Sequence, residues 1–175
     1  MDTLEAIHTR RSVRQFGEAP VSDEQIETLL RAAMAAPSAH NQQPWRFIVV
    51  RDRDTLARLA AATKYAAPIG RAQVGIVIVA DTGALKTAED LWVIDCSLAG
   101  ENMMLAARAI GLGSVWLASW PYEGYMAAIA EIIEAPDGVV PVGMFAVGVP
   151  ASPGPVVDRF HPEWVHRERW NAEES

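Results

Sequence analysis

The chain has a single cysteine, no internal repeat, no glycine-rich phosphate loop and no unbroken apolar run of membrane-spanning length. Each absence excludes something. Cys96 cannot form an internal disulfide and lies in an apolar stretch, where a buried, inert thiol in a reducing cytoplasm is expected. The most apolar region, Leu91 to Ala118, is interrupted by Asp95, Glu101, Asn102 and Arg108, so it reads as a buried helix followed by a strand, with no membrane partner. The opening "MDTLEAIHTR" carries acids where a signal peptide carries basic residues, and no export is expected. Lysine and arginine total 15 against 22 acidic residues, a formal net charge of -7, which repels a nucleic-acid backbone unless a local basic patch intervenes.

Several chemistries lack their residues as well. Neither GxGxxG nor GxxxxGK[ST] occurs, and Gly111-Leu112-Gly113 follows a helix, so it reads as a helix stop. His8, His40, His161 and His166 form no i, i+4 pair, and no metal is expected. Ser114 and Ser119 have no GxSxG context, and Cys96 has no base beside it in sequence. Non-covalent binding of something anionic and planar survives these exclusions.

At 175 residues, one domain over 1–150 is expected, followed by a polar, Pro-rich arm over 151–175. Asp2 with Glu5, and Ser22 with Gln25, have capping-box spacing and open two helices, the first ending near Thr9. Ile26, Leu29, Leu30, Ala33 and Met34 recur at helical spacing until Pro37. "WRFIVV" suits a strand, Asp54 is expected to cap a short helix through Ala62, and "VGIVIVA" reads as a strand buried on both faces. Residues from Thr87 to Ile110 are apolar on nearly every side and read as an enclosed core helix, before "GSVWLAS", a helix over 123–134, and "VGMFAVGV". The total is about four strands and five helices. Trp164 and Trp170 imply that the arm packs on something, a second subunit included.

Two polar segments stand out. "HTRRSVRQF" places Arg10, Arg11, Ser12 and Arg14 just past the first helix, either as a solvated basic turn favoured by the helix dipole or as an anion site. "APSAHNQQPW" gathers Ser38, His40, Asn41, Gln42 and Gln43, either as an ordinary connection or as amides that hydrogen-bond a planar heterocycle.

In order along nearly the whole chain, "RRSVRQF", "AAPSAHNQQPWRFIVV", "AGENMMLAARAIGLGSVWL" and "VGMFAVGVP" resemble the FMN-dependent nitroreductase family, as a compact, short-chain member. The resemblance implies an α+β fold: a three-layer α/β/α sandwich whose mostly antiparallel central sheet surrounds a long buried helix, in an intertwined homodimer with FMN at the subunit interface. It implies that Arg10 and Ser12 face the FMN phosphate and ribityl chain and that Arg14 faces the flavin N1/O2 edge, with Arg11 at a variable position. Pro37, Ser38, Ala39 and Asn41, with Gln43 as a further candidate, match the loop that reaches the flavin from the other subunit. Ala118 and Ser119 match the strand end facing flavin N5, and Arg159 the late basic position that closes on the phosphate. Val157 stands where larger members often have a second basic residue, and the insertion that roofs their substrate site is missing, which leaves a pocket shaped by Trp120, Tyr122 and the partner's arm. Lys64 and Arg71 are candidates for a polar contact before the second central strand.

The implied activity is oxidoreduction with NADH or NADPH as donor and a nitroaromatic, quinone or similar acceptor, in a ping-pong cycle. The flavin carries the chemistry, so no catalytic side-chain pair is required, and Arg14 stabilises the anionic reduced flavin. A flavin sensor with little turnover, a reductive dehalogenase and a flavin-fragmenting relative are the alternatives.

Overall fold

Helix α1 (Thr3–Thr9) begins where the Asp2 carboxylate accepts the Glu5 backbone N–H at 2.9 Å. In the computed structural model, which describes residues 1–86, 91–152, 154 and 157–170, side-chain caps of this kind open three of the described α-helices. Helix α2 (Asp23–Met34) opens on a full capping box: Ser22 Oγ accepts from Gln25 N at 3.2 Å, and Ser22 N donates to Gln25 Oε1 at 2.9 Å. Strand β1 (Trp45–Val50) leads to α3 (Arg53–Ala61). The cap of α3 is Asp52 and not Asp54, because the Asp52 carboxylate accepts both the N–H and the hydroxyl of Thr55, at 2.8 and 2.7 Å. Asp54 falls inside the first turn.

Strand β2 (Val74–Asp81) precedes the core helix α4 (Leu91–Ala109), then β3 (Gly113–Ala118), α5 (Glu123–Ile132) and β4 (Val139–Gly148). The part of the expected core helix over Thr87 to Asp90 lies outside the described residues. Gly111, at φ 82°, ends α4 in the left-handed region that favours glycine.

The four strands form one antiparallel sheet in the order β1-β2-β4-β3. Successive strand residues point to opposite faces, so each strand feeds two cores. Ile76, Ile78, Phe145 and Val147 pack with Ile26, Leu29 and Ala33 of α2 and Cys96, Ala99 and Met103 of α4. Val77, Val79, Met144, Ala146, Val115 and Leu117 pack on the other face with Leu56, Leu59, Ile69 and Ile129. Helices α2 and α4 therefore form one outer layer, α3 and α5 the other, with the sheet between them. Each fully buried Leu, Ile or Phe contributes roughly 1.5–3 kcal/mol.

Helix α4 sits close on the sheet. A Cβ on Gly100 would come within 2.4 Å of the Trp116 ring, which stacks edge-on against Phe145 at 5.0 Å. Away from the sheet, Ile94 and Leu98, one turn apart, remain exposed. Leu4 and Ile7 of α1 are exposed as well. In the arm, Trp164 and Trp170 are 71% and 80% exposed within one chain; Trp164 stacks on His161 at 4.0 Å, and Trp170 lies tilted against His166 at 4.1 Å. No described helix is long and apolar enough to cross a membrane.

Candidate functional site

The basic segment is threaded between two other parts of the chain. Past α1, Ser12 forms a parallel bridge with Ser114 of β3, with Val13 N donating to Ser114 O at 2.9 Å. Phe16 then bridges Pro150, and Gly17 N and Ala151 N donate to Val149 O and Gln15 O. These bonds hold residues 12–17 against β3 on one side and residues 149–151 on the other, with Ser12 and Arg14 exposed.

The four cationic candidates differ in their surroundings. Arg10 pairs with Glu101 of α4 at 3.1 Å and lines a cavity of only about 70 Å³ with Thr9, Met104 and Arg108. Arg11 donates to the carbonyls of His8, Arg10 and Val157, which ties the end of α1 to the arm. Arg14 is exposed and makes one long bond, 3.4 Å, to Ser12 O. It opens onto two adjoining spaces. One, of about 570 Å³, is lined by Arg11, Ser12, Arg14, Gln15, Ser152 and Arg159. The other, of about 780 Å³, is lined by Arg14, Gln15, Lys64, Tyr65, Arg71, Ala118, Tyr122 and Tyr125 among others. Neither contains an acidic residue among its described lining residues. Such a groove attracts anions, since its cations converge with no local carboxylate to neutralise them.

The sequence had singled out Lys64, Arg71 and Tyr122, and the structure places all three on the wall shared with Arg14 and Ala118. Tyr65 and Tyr125 were not singled out: exposed or half-exposed tyrosines carry no pattern until α3, the 3-10 turn at Ile69–Arg71 and α5 bring them to one side of β3. Trp120 lines a smaller neighbouring cavity of about 270 Å³ with Val93, Met104 and the Trp116 and Ala118 that also line the groove, and packs edge-on against Trp92 at 4.8 Å. Ser119 is fully buried, its hydroxyl donating to Pro141 O at 3.0 Å and its N–H to Val142 O at 3.2 Å. Ala118, next to it, is exposed at the groove.

The amide-rich loop lies elsewhere. Pro37, Ser38, Ala39, Asn41 and Gln43 lead into β1, at the sheet edge opposite β3 and about 14 Å away, three strand spacings of roughly 4.8 Å. His40, Asn41 and Gln43 have φ of 50°, 51° and 49°, and Ser38 Oγ accepts from Gln43 N at 3.0 Å. Both oxygens of Asp95, on α4, bind this loop at 2.9 Å: Oδ1 accepts Ala39 N–H and Oδ2 accepts the Gln42 amide. Sequence reading missed this contact, since nothing local links positions more than fifty residues apart. Next to Asp95, burial, and secondarily the Asp95 charge, push the Cys96 thiol up to about 12, so it is an inert core group. No cluster of three metal-ligating side chains occurs among the described residues.

The chain resembles known proteins along nearly its full length. It is 44% identical over 172 residues to an Archaeoglobus fulgidus protein with the provisional name NADH dehydrogenase/NAD(P)H nitroreductase, covering 97% of this chain and 99% of that one. A crystal structure from Parabacteroides distasonis, provisionally given the same name, superposes with a TM-score of 0.91 at 35% identity, covering 96% of this chain and 98% of that one. A provisionally named nitroreductase from Desulfovibrio desulfuricans, solved in complex with FMN, superposes with a TM-score of 0.82 at 33% identity, covering 98% and 99%. The family model described as "Nitroreductase family" matches residues 7–82 and 60–149. On the sequence motifs, the antiparallel sheet order and these matches together, the chain belongs to the nitroreductase family.

Proposed function

We propose that this protein is an FMN-dependent oxidoreductase that takes electrons from NADH or NADPH and passes them to a nitroaromatic, quinone or similar acceptor in a ping-pong cycle. The observation that carries the reading is the acid-free groove around Arg14, with Lys64, Arg71, Tyr65, Tyr122 and Tyr125 on its walls and Ser12 and Arg159 in the adjoining cleft. These residues fit FMN. The cleft offers guanidinium and hydroxyl donors for a phosphate, and the larger space offers room and aromatic walls for a planar ring. The FMN complex of the Desulfovibrio desulfuricans relative supports the assignment.

Bound FMN would supply the chemistry, accepting two electrons from the nicotinamide and releasing them to the acceptor. Ser12 and Arg159, with Arg10 behind them at the end of α1, would hold the phosphate. Arg14 would set a fixed positive charge where the reduced cofactor gathers negative charge. Lys64 and Arg71 would add donors along the same wall, and Ala118, with no side chain beyond Cβ, leaves the backbone at the end of β3 open to the ring. Tyr65 and Tyr122 would frame the space left for donor and acceptor.

The loop of Pro37, Ser38, Ala39, Asn41 and Gln43 cannot reach this groove within one chain, because it stands at the far edge of the sheet. A homodimer resolves this by lending each loop to the partner's cofactor. The exposed Leu4, Ile7, Ile94 and Leu98, on two helices joined at Arg10 and Glu101, supply an apolar face for that association. The arm, with its exposed Trp164 and Trp170, would close over the second subunit.

The purified protein is expected to be yellow or to gain flavin absorbance on adding FMN. Anaerobic NADH or NADPH should bleach it, and menadione or a nitrofuran should restore the colour. A colourless protein with no FMN binding overturns the reading, and bound flavin without turnover points to a sensor.

A further inference from the structure

We propose that Asp95 is a positioning residue for the flavin: from the core helix it anchors the loop that one subunit lends to the other's cofactor. The inference rests on the flavin reading above.

Asp95 is 3% exposed, and burying a carboxylate is costly unless both oxygens are paired. Its only partners among the described hydrogen bonds are in the loop, Ala39 N–H and the Gln42 amide, both at 2.9 Å. Packing α4 against α2 alone would be served by an apolar side chain, as at Ala99 and Met103 on the same helix. The charge therefore serves the loop.

The loop needs such an anchor. His40, Asn41 and Gln43 all hold a left-handed backbone that L residues adopt reluctantly. Among the described residues the bonds Asn41 N to Ser38 O, Gln42 N to Ala39 O and Gln43 N to Ser38 Oγ close it internally, and Lys86 Nζ and Arg46 reach the Asn41 and Gln43 carbonyls at longer range, 3.3 and 3.2 Å. Asp95 draws Gln42 inward, where it is buried, and the flanking Asn41 and Gln43 are thereby turned outward and exposed. The anchor itself is fixed. Seven residues further on α4, hence on nearly the same helix face, Asn102 Nδ2 donates to Ala32 O of α2 at 3.1 Å, so α4 holds both the helix before the loop and the loop.

The test titrates FMN into wild-type, Asp95→Ala and Asp95→Asn dimers and into a heterodimer of Arg14→Ala with Asp95→Ala protomers. Asp95→Ala should weaken FMN binding at least about tenfold, the equivalent of one lost charge-assisted hydrogen bond. Asp95→Asn should restore part of it, because its amide can accept from Ala39 N–H and, once the Gln42 amide turns over, donate to Gln42 Oε1, which has no hydrogen-bond partner among the described residues. In the heterodimer, one site combines an intact Arg14 with an intact partner loop and the other combines both defects. One FMN per dimer should bind with wild-type affinity, a result that general destabilisation of the Asp95→Ala chain does not give. Wild-type affinity in the Asp95→Ala homodimer, or no wild-type site in the heterodimer, overturns the proposal. Should Asp95→Ala fail to fold, Gln42→Ala removes the same bond from the loop side, and unchanged FMN affinity there overturns it equally. If the wild-type protein binds no FMN, the flavin reading itself fails.

Discussion

Gly113 lies directly beneath Val13: a Cβ built on the glycine would stand 2.8 Å from the valine Cβ. This close approach lets the segment after α1 lie along β3 and fixes where Ser12 and Arg14 emerge. Gly113→Ala is expected to cost about 1–3 kcal/mol, as overpacking does, and to loosen FMN binding because Val13 must move away from Ser114. Thermal denaturation and FMN titration measure the two effects.

Arg11 and Arg14 are separable by their partners. Arg14→Ala removes the cation shared by both spaces at the groove and should weaken FMN binding about tenfold and slow reduction by NADH. Arg11→Ala removes bonds to backbone carbonyls and should change FMN affinity less than Arg14→Ala does. Stopped-flow reduction and equilibrium titration of both variants test the ranking.

The Cys96 thiol is raised from 9.0 to about 12, chiefly by burial. A raised thiol keeps its proton in the folded state after the unfolded chain has lost it. Its contribution to stability is thus complete below pH 9 and is lost as pH rises from 9 towards 12. In native protein at pH 8, a thiol reagent should leave Cys96 unmodified and label it stoichiometrically only in denaturant.

Helix α3 separates two neighbouring acids. Asp52→Ala should lower the melting temperature more than Asp54→Ala, since only Asp52 accepts the Thr55 N–H and hydroxyl. These bonds hold the Asp52 carboxyl below its ordinary 3.8, so its stabilising effect is present above that value and fades as pH falls through the lower folded-state value. The melting difference between the two variants should shrink accordingly in acid.

Leu98→Glu places a charge on the exposed stripe of α4 without touching the core. If the proposed homodimer forms through this stripe, the expected outcome is its dissociation together with loss of FMN, followed by sedimentation and flavin absorbance. A folded monomer that keeps its flavin would count against the shared site.

The Ser22–Gln25 capping box, the stop at Gly111, the buried β2 and the inert Cys96 were legible in the sequence because each depends on neighbours within a few positions or on a simple period, whereas Asp2 and Glu5 form only half of the expected box, the bond from Glu5 N to the Asp2 carboxylate. The choice between Asp52 and Asp54 was not: either could open the same helix, and the three-residue step to Thr55 decided it. Helix α4 is enclosed on the sheet side, as its apolar sequence implies, while Ile94 and Leu98 reach the surface of one chain.

Local residue order thus determined the elements, the basic segment and the amide-rich loop, and their family order connected the last two. Only the tertiary structure decided that Arg14 shares a groove with Lys64, Arg71 and Tyr122, that the loop stands at the opposite sheet edge, and that Asp95 holds it. Those relations arise from strand order and helix packing between residues remote in the chain. Such contacts form where buried area and paired polar groups outweigh the entropy of closing long loops, a balance that no short stretch of sequence contains.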